Sequence, residues 1–289
     1  QSMALIIQQG QHPAVGSVNN YIIYITATLG LFILLFGTRS IDASEKHEGM
    51  VAAIAFESIV KLIAFLLVGM FITFFVFSGF NDVFEKLPKS SAGLFSIPDF
   101  HSATSWVGLM LLSMLAVFLL PRQFQVNVVE NIQESHLRKA SWLFPLYLFI
   151  INLFVLPIAL GGMYYFNGTG MDADNFVLAF PLAKGSQWLT LITFIGGFSA
   201  ATSMIIVETI ALSTMVCNNM VLPLMLSIRN FKTDPDAGLQ KLILRIRRIS
   251  ILVILMLAIL FDRFVSHGFS LVSIGLVSFV AVAQFAPAV

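Results

Sequence analysis

Three hydroxyl side chains fall within five residues of one apolar stretch: Ser199, Thr202 and Ser203. At helical spacing they stand at i, i+3 and i+4, hence on one face. Gly196, Gly197, Ala200 and Ala201 lie among them, small residues that let a neighbouring helix approach closely. Hydroxyls on one face, joined by backbone carbonyls freed where a helix bends, are hard oxygen ligands for a small cation such as Na⁺. Without a full carboxylate cage they would hold a monovalent ion weakly and reversibly. The same three groups could equally be structural, each donating to a carbonyl of its preceding helical turn.

Ionisable residues in apolar sequence are the next candidates, because each is costly without a partner. Glu57 and Lys61 are four residues apart, so their side chains lie one turn apart on one helix face. They read either as a self-neutralised pair, with Lys61 snorkelling, or as a coupling or gating charge. Glu208 has Thr209, Ser213 and Thr214 nearby and could hold a cation or a proton. It could equally pair with another helix. Asn152 and Pro157 suggest interhelical hydrogen bonding and a bend. Cys217 stands in an apolar run as the single cysteine, which argues against a disulfide framework within this chain and against a cysteine-based metal site. No phosphate loop, HExxH or Cys-x-x-Cys motif occurs, so no catalytic residue and no cofactor is assigned to the chain itself. No nucleic-acid partner is expected.

These residues must be positioned by membrane helices. The 289 residues are 58% hydrophobic and only 11% charged, against roughly 25% charged in soluble domains. So few charges cannot cover a soluble surface of this size, and the lipid bilayer must be the solvent for much of it. A spanning helix needs about 20 mostly apolar residues. Seven stretches suggest spans, at about 20–37, 50–80, 105–120, 142–166, 188–228, 249–261 and 269–289. The expected fold is therefore an all-α polytopic helix bundle, with residues 1–289 forming one membrane domain. Lysine and arginine alternate between the connecting segments: eleven lie in one set of loops and four in the other. The positive-inside rule then puts the end of the first span in the cytoplasm. The loop between the fifth and sixth spans carries Arg229, Lys232, Lys241, Arg245, Arg247 and Arg248. Such a segment is a topology anchor and would also meet anionic cytoplasmic lipid. Neither end reads as a natural terminus, so the chain is expected to be the middle of a longer protein.

Three passages resemble the sodium:solute symporter family, most closely the symporter-like membrane input domain of bacterial sensor histidine kinases. One runs from Leu35 to Asp42, through Glu45 to Gly49, and on to Ala55 to Leu62. Another is Leu120-Pro121-Arg122-Gln123-Phe124-Gln125-Val126, continuing to His136-Leu137-Arg138 and Trp142 to Tyr147. The third is Gly197 to Met204, running on to Asn218-Asn219. The resemblance implies a leucine-transporter-type fold of two inverted repeats, with these spans corresponding to the family's fifth to eleventh helices. It implies that 105–120 is a broken helix, with its break near Ser113 or towards Pro121-Arg122-Gln123. It makes Thr202 and Ser203 sodium ligands, with Ser199 contributing one turn earlier, and leaves the other half of the ion site on a helix outside this sequence. Ser113, Arg122 and Gln123 become candidate contacts for a small organic solute, an amino acid or a short carboxylate. Glu57, Lys61 and Glu208 become candidate coupling or gating residues, with Na⁺ as the coupling ion. The implied function is a sodium-coupled transport and sensory input module of a two-component histidine kinase in the bacterial inner membrane, with a homodimer formed through cytoplasmic kinase regions. A free-standing sodium symporter and a transport-inactive membrane anchor are the alternatives.

Overall fold

A computed structural model describes residues 15–36, 48–86, 100–131, 133–168, 171–228, 237–264 and 271–284. All regular structure among them is helical. In chain order the helices are α1 (Val15–Phe36), α2 (Glu48–Phe71), α3 (Phe80–Glu85), α4 (Phe100–Leu119), α5 (Pro121–Phe124) and α6 (Glu134–Asn152). They continue with α7 (Val155–Tyr165), α8 (Phe176–Ala183), α9 (Gln187–Met215), α10 (Leu222–Ile228), α11 (Ala237–Phe264) and α12 (Leu271–Ala283). Three wider, π-type turns extend α2, α5 and α9 at Ile72–Val76, Gln125–Val129 and Val216–Val221.

The chain is an all-helical membrane protein. Three continuous helices among the described residues are long and apolar enough to cross a bilayer: Val51–Val76, Glu134–Tyr165 and Gln187–Met225. A fourth crossing can be made by Ala103–Leu119 and Pro121–Val129, bent by 51° at their junction. These coincide with the second, fourth, fifth and third stretches expected from sequence. The described residues of the other three stretches are helical too, apart from a turn at Gln284. The apolar parts of α1 and α12 are shorter, Tyr24–Leu34 and Val272–Ala283. In α11 Arg248 and Asp262 enclose just Ile249 to Phe261. Large side chains such as Phe75, Phe118, Trp142 and Trp188 are exposed, as a lipid solvent permits. Arg39, Lys46, Lys89, Arg229 and Lys232, all used in the loop-charge reading, lie outside the described residues.

The breaks have local causes. Leu120 precedes a proline and takes an extended conformation (φ −66°, ψ 129°), because proline crowds the helical conformation of the residue before it. Pro121 then opens α5 at a position where its missing N–H costs nothing. The break is therefore at Leu120, and α4 runs without interruption through Ser113. Between α6 and α7 the ladder lapses at Leu153–Phe154. Pro157 lacks the N–H that would return to Leu153, which accounts for the lapse. Asn152 donates to the carbonyl of Leu148 at 2.7 Å, so its amide serves its own helix. Pro223 acts similarly on α9. It cannot donate to Asn219, and the ladder ahead of it widens, with the Leu222 N–H bonding the Cys217 carbonyl five residues back.

Two compact units can be distinguished. One comprises residues 1–13, 52–111 and 132–201, the other 14–51, 112–131 and 202–289. The first has a core of Val68, Ile72, Phe77, Val83, Phe154, Ile158, Leu160, Phe176 and Phe180. A methyl group on Gly69 would collide with the Phe154 side chain, so the close approach of α2 to the α6–α7 junction depends on that glycine. The second unit has a smaller core of Ile33, Ile210, Ile251 and Leu255, bringing α1, α9 and α11 together.

Candidate functional site

The small-residue segment of α9 does what its composition suggests. A Cβ built on Gly196 would stand 2.5 Å from the Ala64 Cβ and 3.9 Å from the Lys61 Cα. Only glycine allows α9 to pass α2 this closely, at the turn that carries Lys61.

On α9 the hydroxyls divide by their hydrogen bonds. Thr190 donates to the Ser186 carbonyl at 2.8 Å and Thr193 to that of Leu189 at 2.7 Å. Ser213 donates to Ile210 at 2.9 Å. These are the back-bonds expected of hydroxyls serving their own helix. Ser203 departs from the pattern. Its Oγ is buried and finds no hydrogen-bond partner. Ser199, Thr202 and Ser203 are all half-buried. Burying a hydroxyl without a partner costs about 1–3 kcal/mol, which sets Ser203 apart from these helix-bonded hydroxyls.

Glu57 is 5% exposed, among the most buried polar residues described. Its Oε1 lies 3.9 Å from Lys61 Nζ, whose side chain is one-third exposed. The pair expected from sequence therefore forms, loosely. The other carboxylate oxygen, Oε2, is buried and has no hydrogen-bond partner. The same is true of the Tyr147 hydroxyl on α6, which lies near enough to feel the Glu57 charge. In sequence Tyr147 stands out only as part of a resembling passage. Its position beside a buried carboxylate could not be read from spacing, because the two lie on different helices.

Glu208 is half-buried, and the Arg122 guanidinium is close enough to act on it electrostatically. Thr209 and Ser213 beside it are buried. Arg122 and Gln123 are half-buried on α5, just past the bend. Ser113 is exposed on the straight part of α4, about two turns before the break. The structure thus associates Arg122 with Glu208 and leaves Ser113 away from the bend.

Sequence reasoning missed two polar contacts. Gln125 Nε2 donates to Glu130 Oε1 at 3.1 Å, and both residues are buried. The Glu130 N–H also bonds the Gln125 carbonyl at 2.9 Å. Cys217, fully buried, donates its S–H to the Ile243 carbonyl at 4.0 Å, and Arg247 is close enough to act on it electrostatically. The signal for the second was an arginine within a basic segment, which reads as a topology charge. Outside the long spans, Asp82 accepts from Lys86 Nζ at 2.9 Å and from the Ser78 N–H at 3.0 Å. The Lys86 hydrogen bond, aided by the Ser78 N–H, holds the Asp82 carboxyl below its ordinary range, and Asp82 in turn raises Lys86. No group of three or more His, Cys, Asp or Glu suited to a metal ion occurs among the described residues.

Comparison with known proteins adds one relationship. No family model matches the chain, and no solved structure matches it. It is 26% identical over 184 residues to a protein of Bacillus subtilis (strain 168) described as the uncharacterized symporter YhjB. The match takes in 61% of this chain and 35% of that protein, so the chain spans about a third of its relative's length.

Proposed function

We propose that this chain is the membrane part of a Na⁺-coupled transporter for a small organic solute, of the sodium:solute symporter type. The observation that carries the proposal is the buried, unpartnered Oγ of Ser203, on a helix where Thr190, Thr193 and Ser213 back-bond. Thr202 and Ser203 supply hydroxyl ligands to Na⁺, and Ser199 lies one turn earlier on the same face. The bend at Leu120–Pro121 is the kind of interruption that transporters of this type use near a solute. Arg122 and Gln123 follow it, and Arg122 shares its charge with Glu208. A solute carboxylate would compete with Glu208 for Arg122, linking solute binding to a charge on α9. The symporter described in Bacillus subtilis supports the transport class.

The kinase-like passages around Glu57 and Arg122 support a more specific role: solute transport or binding in the bacterial inner membrane serves as input to a two-component histidine kinase. A solute can drive such an input only by binding two helix arrangements unequally. A free-standing symporter is the second reading, favoured by the relative's description as a symporter.

The test uses the full-length parent protein in proteoliposomes. Uptake of labelled amino acids and short carboxylates should require an inward Na⁺ gradient, and autophosphorylation should change with the transported solute. Na⁺-dependent uptake without kinase activity would select the free-standing symporter. Uptake indifferent to Na⁺ would overturn the coupling.

A further inference from the structure

The part of α11 ahead of its apolar run carries three exposed basic side chains in line with an exposed aliphatic track. Lys241, Arg245 and Arg248 are all exposed. Their spacing of four and three residues puts them on one helix face, and Leu252 and Met256 continue it at four-residue steps. At 100° per residue the five positions fall within an arc of about 80°. Leu252 is 54% exposed and Met256 64% exposed. The residues that hold α11 in place are others: Ile246, Ser250, Ile251 and Leu255 are buried, and the last two pack with Ile33 and Ile210.

The length of the helix adds a constraint. Its uncharged part, Ile249 to Phe261, is 13 residues long. That is about 20 Å of helix, short of the roughly 30 Å of a hydrocarbon core. The basic side chains at its start must therefore reach along the helix to the headgroup level. Three cations arrive there on one face, directly above an exposed aliphatic track.

We propose that the Lys241–Arg245–Arg248 stripe and the Leu252–Met256 track together bind one anionic phospholipid, the phosphate on the basic residues and an acyl chain along the aliphatic ones. Charge complementarity selects the anionic headgroup, and the continuation into Leu252 and Met256 selects a lipid over a free anion. Arginine suits this position because its planar fork can contact two phosphate oxygens at once.

The experiment is native mass spectrometry of the full-length parent protein in mild detergent, titrated with phosphatidylglycerol or phosphatidylcholine of identical acyl chains. A basic side chain near an anionic headgroup contributes about fivefold in affinity, so three give on the order of 100-fold preference for phosphatidylglycerol. Lys241→Gln/Arg245→Gln/Arg248→Gln should abolish that preference. Arg245→Gln and Arg248→Gln alone should each lower it about fivefold, which keeps the test decisive if the triple variant fails to insert. Leu252→Ser/Met256→Ser should weaken both lipids alike and leave the preference intact. Equal binding of the two lipids by the unaltered protein would overturn the proposal. So would an undiminished preference in the single arginine variants, or displacement of the bound lipid by millimolar inorganic phosphate alone.

Discussion

Replacing Ser203 by alanine should move two observables in opposite directions. The serine Oγ is buried without a partner. Removing it relieves a desolvation penalty of about 1–3 kcal/mol, and alanine is also the better helix former by a few tenths of a kcal/mol. The Na⁺-free variant should therefore melt higher, by about 2–4 °C for each kcal/mol recovered. In the proposed site, bound Na⁺ would meet the same oxygen. Contacts to a charged group contribute about 1.5–3 kcal/mol, so half-maximal binding should need on the order of 10–100 times more Na⁺. The assay is thermal unfolding at a series of Na⁺ concentrations, with choline keeping ionic strength constant. Cys217 is fully buried and is the single cysteine of these residues, so its reaction with a thiol dye reports unfolding. The control is Thr193→Val, which removes a hydroxyl already bonded to the Leu189 carbonyl at 2.7 Å. That variant should show no gain in Na⁺-free stability and an unchanged Na⁺ response. If Ser203→Ala lowers the Na⁺-free melting temperature and keeps the full Na⁺-induced rise, Ser203 is a structural hydroxyl and the ion site lies elsewhere.

Gly196→Val should destabilise the α2–α9 contact by about 1–3 kcal/mol, because its Cβ would stand 2.5 Å from that of Ala64; Ala64→Gly should recover part of the loss, read as coupling in a double-mutant cycle of melting temperatures. Lys61→Met should be more harmful than Glu57→Gln, because it leaves a 5%-exposed carboxylate without a countercharge, whereas the one-third-exposed lysine can turn to solvent. Its cost, discounted from the value for a fully buried pair, is roughly 2 kcal/mol, measurable as the yield and melting of monodisperse protein. Asp82 has a depressed folded pKa, so its contribution is present above the ordinary carboxylate pKa and is lost as pH falls through the folded value. Lys86, raised, contributes below the ordinary lysine pKa and loses its contribution as pH rises through its own folded value. Between about pH 4 and pH 10 Asp82→Asn should thus be less stable than the parent, and the two melting curves should converge below that window.

Much of this architecture was legible because it follows from local rules. Apolar length locates α2, α6 and α9; the bend is expected from the resemblance alone, near Ser113 or towards Pro121, and the structure has it at Leu120. The Glu57–Lys61 pair follows from helical periodicity alone. What escaped has a physical reason in each case. Apolar α8, Phe176–Ala183, is too short to register as a span and contains Pro181, yet it supplies Phe176 and Phe180 to the core. Gln125 and Glu130 are five residues apart, which on an α-helix puts them about 140° from one another. They meet because the π-type turn changes that angle, a backbone feature with no periodic signature. Tyr147 and Arg247 find Glu57 and Cys217 across helices, and single-helix patterns carry no record of such pairing.

The wide turn at Val216–Val221 means that α9 holds one residue more than a plain α-helix of its length would need. All that follows it, from Leu222 to Ile228, is turned by about 100° from where uninterrupted α-helical phase would put it. Losing a single residue within this turn would let the helix close up and keep its facing. The same loss in the middle of Gln187–Met215 would swing every later side chain to a new bearing. Among relatives of this chain, length variation confined to that turn would therefore be nearly invisible to the fold, and the turn would act as the place where the helix absorbs an evolutionary slip of one residue.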